Sequence, residues 1–91
     1  MKEFKETLIV KFEHTDLFGG ETNYSWVNRG ELRFHPTASD RDIVRGVKEE
    51  LGMSGVPCDR QDWRVQDGMA LKPRRIHQII FITFEVIKEE A

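Results

Sequence analysis

The sequence contains a single cysteine, Cys58, and this scarcity excludes two kinds of covalent or metal-based stabilisation. One thiol cannot form a disulfide within the chain, and it cannot supply the several thiolates of a structural zinc site. We therefore expect a protein of the reducing cytoplasm that folds without a cofactor.

Long apolar runs are also missing. The longest covers residues 79–82, far fewer than the ~20 apolar residues that a helix needs to cross a bilayer. Residues 1–18 interleave lysines and glutamates with single apolar residues, which is unlike a secretory signal. We expect no interaction with membranes.

No excess of positive charge is present. The 91 residues include 14 Lys and Arg against 16 Asp and Glu, giving a net charge of -2. Such a balance creates no general attraction for nucleic acid, and it is too small for a protein that imitates DNA. With 33% charged and 38% hydrophobic residues, the composition is that of one folded domain, residues 1–91.

Period-two alternation of apolar and polar residues predicts the strands. The clearest covers residues 21–35, where Tyr24, Trp26, Leu32 and Phe34 share the even positions and should all face the core. The same face carries Gly30, which predicts a bulge or a close neighbour. Further strands are expected over residues 4–12 and 76–87, the first followed by a turn at the two glycines of residues 19–20.

Apolar residues on both faces of the last strand, with Ile79, Phe81 and Ile87 on the second, predict that it is central or covered on both sides.

A helix is expected over residues 40–51, because Ser39 offers an N-cap hydroxyl and Gly52 a stop. Residues 53–61 are expected to form a loop. Asp67 and Gly68 predict a two-residue turn between strands at residues 63–66 and 69–72.

The predicted order is β-β-α-β-β-β. This order indicates an α+β fold: a mainly antiparallel sheet of four to five strands with one α-helix packed on one face. A single helix leaves the other face of the sheet to be covered by loops, by a second copy or by a partner.

Several groups have side chains suited to chemistry. His14, Asp16 and Glu21 could form a metal site, with His35 or His77 as a further ligand. Alternatively, Asp16 and Glu21 organise the first turn and His14 is a solvated strand end. Cys58 lies near an arginine in sequence, which could lower its pKa, but a small buried cysteine is the commoner case. We expect no catalytic residues and no metal.

The aromatic pair Tyr24 and Trp26 could instead stack on bases, although their phase with Leu32 and Phe34 favours the core. Exposed arginines on the second strand, the helix and the turn at Pro73 could contact phosphates. With so many acidic residues present, a mixed solvated surface is the simpler interpretation.

Residues 18–29, with the sequence Phe-Gly-Gly-Glu-Thr-Asn-Tyr-Ser-Trp-Val-Asn-Arg, resemble a segment of short uncharacterised proteins of bacteriophages and prophages. The resemblance extends to residues 38–40 and 55–58 and to the last strand, so it covers most of the chain. It implies an origin in a phage or mobile element and a bacterial host cell. It implies no catalytic residues.

These observations favour a small non-enzymatic protein-binding module that modulates or inhibits a host or phage protein. The expected contacts are exposed residues of the second strand and of the loop after Pro57: Asn23, Ser25, Arg29, Arg33, Asp59 and Arg60.

Two alternatives from other classes stay open, as does self-association. One is an accessory protein that binds nucleic acid through Arg29, Arg33 and Arg74. The other is a small metal-dependent hydrolase centred on His14, Asp16 and Glu21. A homodimer could bury the second apolar face of the last strand.

Overall fold

A computed structural model describes residues 3–63 and 67–90 of the chain. The elements follow the order β1 (Phe4–Phe18), β2 (Glu21–Phe34), α1 (Asp40–Glu50), β3 (Cys58–Asp62), β4 (Gly68–Pro73) and β5 (Gln78–Glu90). The five strands form one sheet in the order β2-β1-β5-β4-β3, and all the neighbouring pairs are antiparallel. The predicted α+β class and element order are confirmed.

The two longest pairings in the sheet are those of β1 with β2 and of β1 with β5. Strand β5 lies between β1 and β4, which confirms that it is central, and its pairing with β1 runs from Phe4 opposite Glu90 to Asp16 opposite Gln78. Successive side chains of these long strands point to opposite faces of the sheet. One face packs against the helix, and we call the other the helix-free face.

The hydrophobic core lies between the sheet and α1. Ser39 caps the helix, as predicted, and it does so in a capping box with Asp42. The helix buries Ile43 and Val47. The loop after the helix adds Met53. The sheet contributes apolar residues of β1, β4 and β5 that share the face under the helix: Leu8, Val10, Phe12, Met69, Leu71, Ile80 and Ile82.

The opposite face of the sheet has no helix among the described residues, but it is not bare. Ile9, Ala70 and Ile79 are at least nine-tenths buried there. Trp63 packs near Phe81, with 6.3 Å between the ring centroids. Of the residues expected to need a second copy, Ile79 is therefore already covered by its own chain.

Element boundaries differ from the predictions mainly around β3. The predicted loop over residues 53–61 was wrong from Cys58 onward, because residues 58–62 pair with β4. Gly68 belongs to β4 opposite Thr83 and is not a turn residue. The predicted strand at residues 63–66 lies largely outside the described residues. Strand β1 runs six residues beyond its predicted end, and β5 extends beyond residue 87.

The close neighbour predicted for Gly30 is Phe12. Gly30 lies directly opposite Phe12 in the β1–β2 register, and a Cβ atom added to Gly30 would come within 2.3 Å of the Phe12 ring. The ring itself is buried, with 6% of Phe12 exposed, so it cannot move aside freely. The missing side chain of Gly30 therefore makes room for a core aromatic ring.

We expect Gly30→Ala to destabilise the fold by about 1–3 kcal/mol, because the added methyl group overpacks the site of the Phe12 ring. Denaturant unfolding measures this loss. In a Phe12→Leu background the same substitution should cost less, since the smaller side chain gives the methyl group space. Asn28→Ala, two residues away on exposed β2, serves as the control and should be nearly neutral. Equal costs of Gly30→Ala in both backgrounds would contradict the assigned contact.

Candidate binding groove

Strand β2 contains a large irregularity near its start. Thr15 of β1 pairs with Val27 and Leu17 pairs with Thr22, so the single residue between them on β1 faces four residues, 23–26, on β2. The backbone of Tyr24 in this bulge has a φ of 54°. A bulky residue rarely adopts this left-handed conformation unless the surroundings fix it, and such residues concentrate at functional sites.

Asp16 fixes the bulge. Its carboxylate accepts hydrogen bonds from the Ser25 amide at 2.9 Å, the Ser25 hydroxyl at 2.5 Å and the Asn23 side-chain amide at 2.9 Å. The neighbouring Thr15 hydroxyl donates to the Trp26 carbonyl at 2.7 Å. The hydrogen bonds from Ser25 and Asn23 lower the pKa of Asp16 to about 2, so its charged form is the one that the fold holds.

The bulge changes the direction of Tyr24. The prediction that Tyr24 and Trp26 belong to the core with Leu32 and Phe34 was wrong, because they are 50% and 38% exposed. Four residues opposite one break the period of two on which that prediction depended. Trp26 packs edge-on against His14, with 4.8 Å between the ring centroids.

Tyr24 instead reaches Glu13, an odd-numbered residue of β1 on the face without the helix. The Tyr24 hydroxyl donates to one carboxylate oxygen of Glu13 at 2.6 Å, and Nε of Arg29 donates to the other at 2.8 Å. The hydrogen bond to Tyr24 is the main cause of a lowered pKa at Glu13, with Arg29 next, and the same bond raises the pKa of Tyr24. The three side chains hold one another in place.

This trio borders a groove of about 620 Å³ on the helix-free face. Edge strand β2 contributes Tyr24, Arg29 and Glu31, while the central strands contribute Lys11, Glu13, Phe81 and Thr83. Two aromatic rings therefore lie beside two positive and two negative side chains. Such a surface can accept a ligand that has both an apolar group and hydrogen-bonding groups.

The predicted contact residues do not form one surface. Asn23 and Ser25 are bonded to Asp16 inside the bulge, whereas Arg29 borders the groove. Arg33 pairs with Glu89 across the sheet. Asp59 and Arg60 lie on β3, at the opposite edge, with three strands between them and β2.

Strand β3 makes its own ion pairs. Arg74 bonds Asp59, and Arg60 bonds both Asp40 and Asp62. Near it, a second groove of about 540 Å³ separates the helix from β3 and is lined by Arg41, Arg45, Lys48, Cys58 and Arg60.

The residues considered for a metal site do not gather in the structure. Nε2 of His14 bonds the Gln78 side chain at 2.8 Å, and the Asp16 carboxylate is used by the bulge. Within residues 3–63 and 67–90, no group of three or more His, Cys, Asp or Glu side chains could hold a metal ion. His14 is 7% exposed, so its alternative interpretation as a solvated strand end was also wrong.

Cys58 behaves as a partly buried small residue. Burial raises the pKa of its thiol, the opposite of what a nucleophile needs, and the Sγ atom donates to the Val56 carbonyl at 3.5 Å. None of the helices among the described residues is long and apolar enough to span a membrane.

Lys11, Glu13 and Phe81 were missed by sequence reasoning as members of the groove. Their proximity to Tyr24 depends on the strand order and on the bulge. The one available signal was the local run Asn23-Tyr24-Ser25, because asparagine and serine tend to bond nearby carboxylates and backbone groups.

Comparisons with known proteins give no family assignment: no family model matches the chain, and neither a curated protein nor a solved structure matches it. The interpretation of the groove therefore depends on its own residues.

We expect Asp16→Asn to destabilise the protein at pH 7, because a neutral amide accepts the three hydrogen bonds of the bulge less well. Since folding lowers the pKa of Asp16 from 3.8 to about 2, its stabilising effect is present above a pH of about 4 and is lost as the pH falls through 2. Unfolding curves measured from neutral to acidic pH should therefore converge for the two proteins. A difference that stays constant down to the lowest pH would contradict this role; Asp59→Asn, on an exposed ion pair, is the control.

Tyr24 is the only tyrosine in the chain, so the absorbance of tyrosinate reports its ionisation directly. We expect a titration midpoint above the ordinary pKa of 10, because ionisation breaks the bond to Glu13 and places two negative charges together. Glu13→Ala should lower the midpoint toward 10, while Glu31→Ala, elsewhere in the groove, should change it little. Equal midpoints in the wild type and Glu13→Ala would show that the bond does not form in solution.

Proposed function

We propose that the protein is a small non-enzymatic binding module that uses the groove on its helix-free face to bind a host or phage protein. The observation that carries the proposal is the bulge, which turns Tyr24 out of the core and fixes it beside Glu13 and Arg29. A fold that only needed a stable sheet would gain nothing from the left-handed backbone at Tyr24.

The chemistry of the groove suits a protein partner. Tyrosine and arginine are the side chains most enriched among the residues that dominate binding energy, and Phe81 adds apolar area beside them. Because Tyr24 and Arg29 are already held by Glu13, binding would freeze fewer side-chain rotations. The mixed charges favour a segment with both an apolar side chain and polar groups.

Three observations support a function without catalysis. Asp16 is occupied by the bulge, and His14 is buried against Gln78 and Trp26. The raised pKa of Cys58 keeps its thiol protonated. The side chains that a small hydrolase would use therefore make contacts that stabilise the fold.

The setting of this activity is part of the same proposal. The resemblance of residues 18–29 and of other segments to phage and prophage proteins supports a location in the cytoplasm of a bacterial host cell. There, binding of a partner protein in the groove would cover part of that partner's surface and so inhibit or modulate it. Residues 18–29, which carry most of this resemblance, include the bulge at residues 23–26 and therefore Tyr24.

Nucleic-acid binding is the second candidate, at the predicted helix arginines rather than at those of the second strand and the Pro73 turn. Arg29, Arg33 and Arg74 each pair with a carboxylate, which reduces their value for phosphates. The groove beside the helix is lined by Arg41, Arg45, Lys48 and Arg60, together with Glu49. Arg45 and Arg60 pair with carboxylates there too, so this alternative depends mainly on Arg41 and Lys48. On this alternative, affinity would fall steeply with salt.

Capture from a bacterial lysate by the tagged protein tests the proposal. We expect Thr83→Arg, which places a long charged side chain in the groove, to reduce capture of a nuclease-resistant protein partner by at least about tenfold. Ser54→Arg adds the same side chain beside the helix and should leave this capture unchanged. Circular dichroism establishes that both variants are folded.

The opposite pattern would overturn the assignment of the groove. Loss of capture by Ser54→Arg alone would place binding beside the helix. Retained material that disappears on nuclease treatment would favour the nucleic-acid candidate, and a salt titration of that complex would then give the number of phosphate contacts.

A further inference from the structure

Strand β2 leaves a long edge of the sheet unpaired within the described structure. It has 14 residues and pairs with β1 alone among the described strands, whereas the opposite edge strand, β3, has only five. Unpaired amides and carbonyls along such an edge favour the addition of another strand. The edge is regular from Val27 to Phe34, between the bulge and Pro36, and this stretch contains neither lysine nor proline, which commonly block such pairing.

We propose that this edge pairs with the same edge of a second copy, in an antiparallel arrangement whose two-fold axis passes beside Gly30. A two-fold axis perpendicular to the sheet places residues of the same face opposite each other. With the axis at Gly30, Arg29 of each copy lies opposite Glu31 of the other. The bond of Arg29 to Glu13 uses Nε, so its two terminal nitrogens would donate to Glu31 of the other copy. Both of these ion pairs form on the helix-free face, where Arg29 and Glu31 are exposed.

Charge and length together select this register. An axis beside Arg29 or Glu31 would bring identical charges together at the centre, which is unfavourable. An axis beside Leu32 would also match opposite charges, pairing Glu31 with Arg33. However, it would use only residues 30–34 of the regular stretch, whereas an axis at Gly30 uses residues 27–33.

The second copy would complete the groove. Arg29, Gly30 and Glu31 line its outer side, which lies at the sheet edge. In the dimer, each groove would gain the charged side chains of the other copy, and both would lie on the same face of one ten-stranded sheet. This inference goes beyond the proposed function, since the dimer can form whether or not the groove binds a partner.

Charge reversal provides a direct test. Glu31→Arg places arginines opposite each other at the interface, and Arg29→Glu does the same with glutamates, so each variant should weaken its own dimer by at least about tenfold. A mixture of the two variants restores both opposite-charge pairs in a heterodimer. Sedimentation equilibrium of each protein and of the mixture, up to about 1 mM, measures the three affinities.

The expected result is a dimer for the wild type, monomers for the two variants and recovery of the dimer on mixing. Glu49→Arg, an equal change of charge on the helix, should remain a dimer. Hydrogen exchange should also show that amides of residues 27–33 lose protection in the variants. A wild type that stays monomeric at the highest concentration, or variants that do not associate on mixing, would overturn the inference, and cooperative unfolding of each variant excludes misfolding as the cause.

Discussion

The carboxylate of Asp16 is the contact on which the arrangement of the helix-free face depends. By accepting bonds from Asn23 and Ser25, it holds four residues of β2 opposite one residue of β1. Without that insertion, strand alternation would return Tyr24 to the side of Leu32 and Phe34. One exposed anion therefore decides which face of the sheet receives the aromatic ring.

The two faces of the sheet differ in how their side chains are packed. The face under α1 contains the continuous core, where Gly30 makes room for the Phe12 ring. The other face contains buried residues beside a groove with exposed charged and aromatic groups. Since successive residues of β1 point to alternate faces, the adjacent residues Phe12 and Glu13 belong to the core and to the groove, respectively.

The sequence allowed prediction of the elements that depend on local pattern. Ser39 predicted the start of the helix, paired glycines predicted the first turn, and the apolar residues on both sides of β5 predicted its central place. Cys58–Asp62 has one apolar residue at most, so β3 had no hydrophobic period that could reveal it. Its pairing with β4 is a property of the assembled sheet.

The candidate groove was predictable only in part. Arg29 was identified as an exposed contact, but its partner Glu13 is defined by the β1–β2 register. Tyr24 was misassigned because its even position agreed with a regular strand. The information that breaks this regularity lies in hydrogen bonds between Asp16 and residues seven and nine positions away, beyond the reach of a period-two argument.

The central place of β5 also has a consequence for the order in which the protein folds. The β1–β2 hairpin joins neighbours in sequence, whereas the pairing of Phe4 with Glu90 brings together nearly opposite ends of the chain. Such distant contacts lose much chain entropy before they gain stability, and they slow folding. During synthesis, β1 therefore leaves the ribosome long before its central partner does, and its open edge must wait for the last strand.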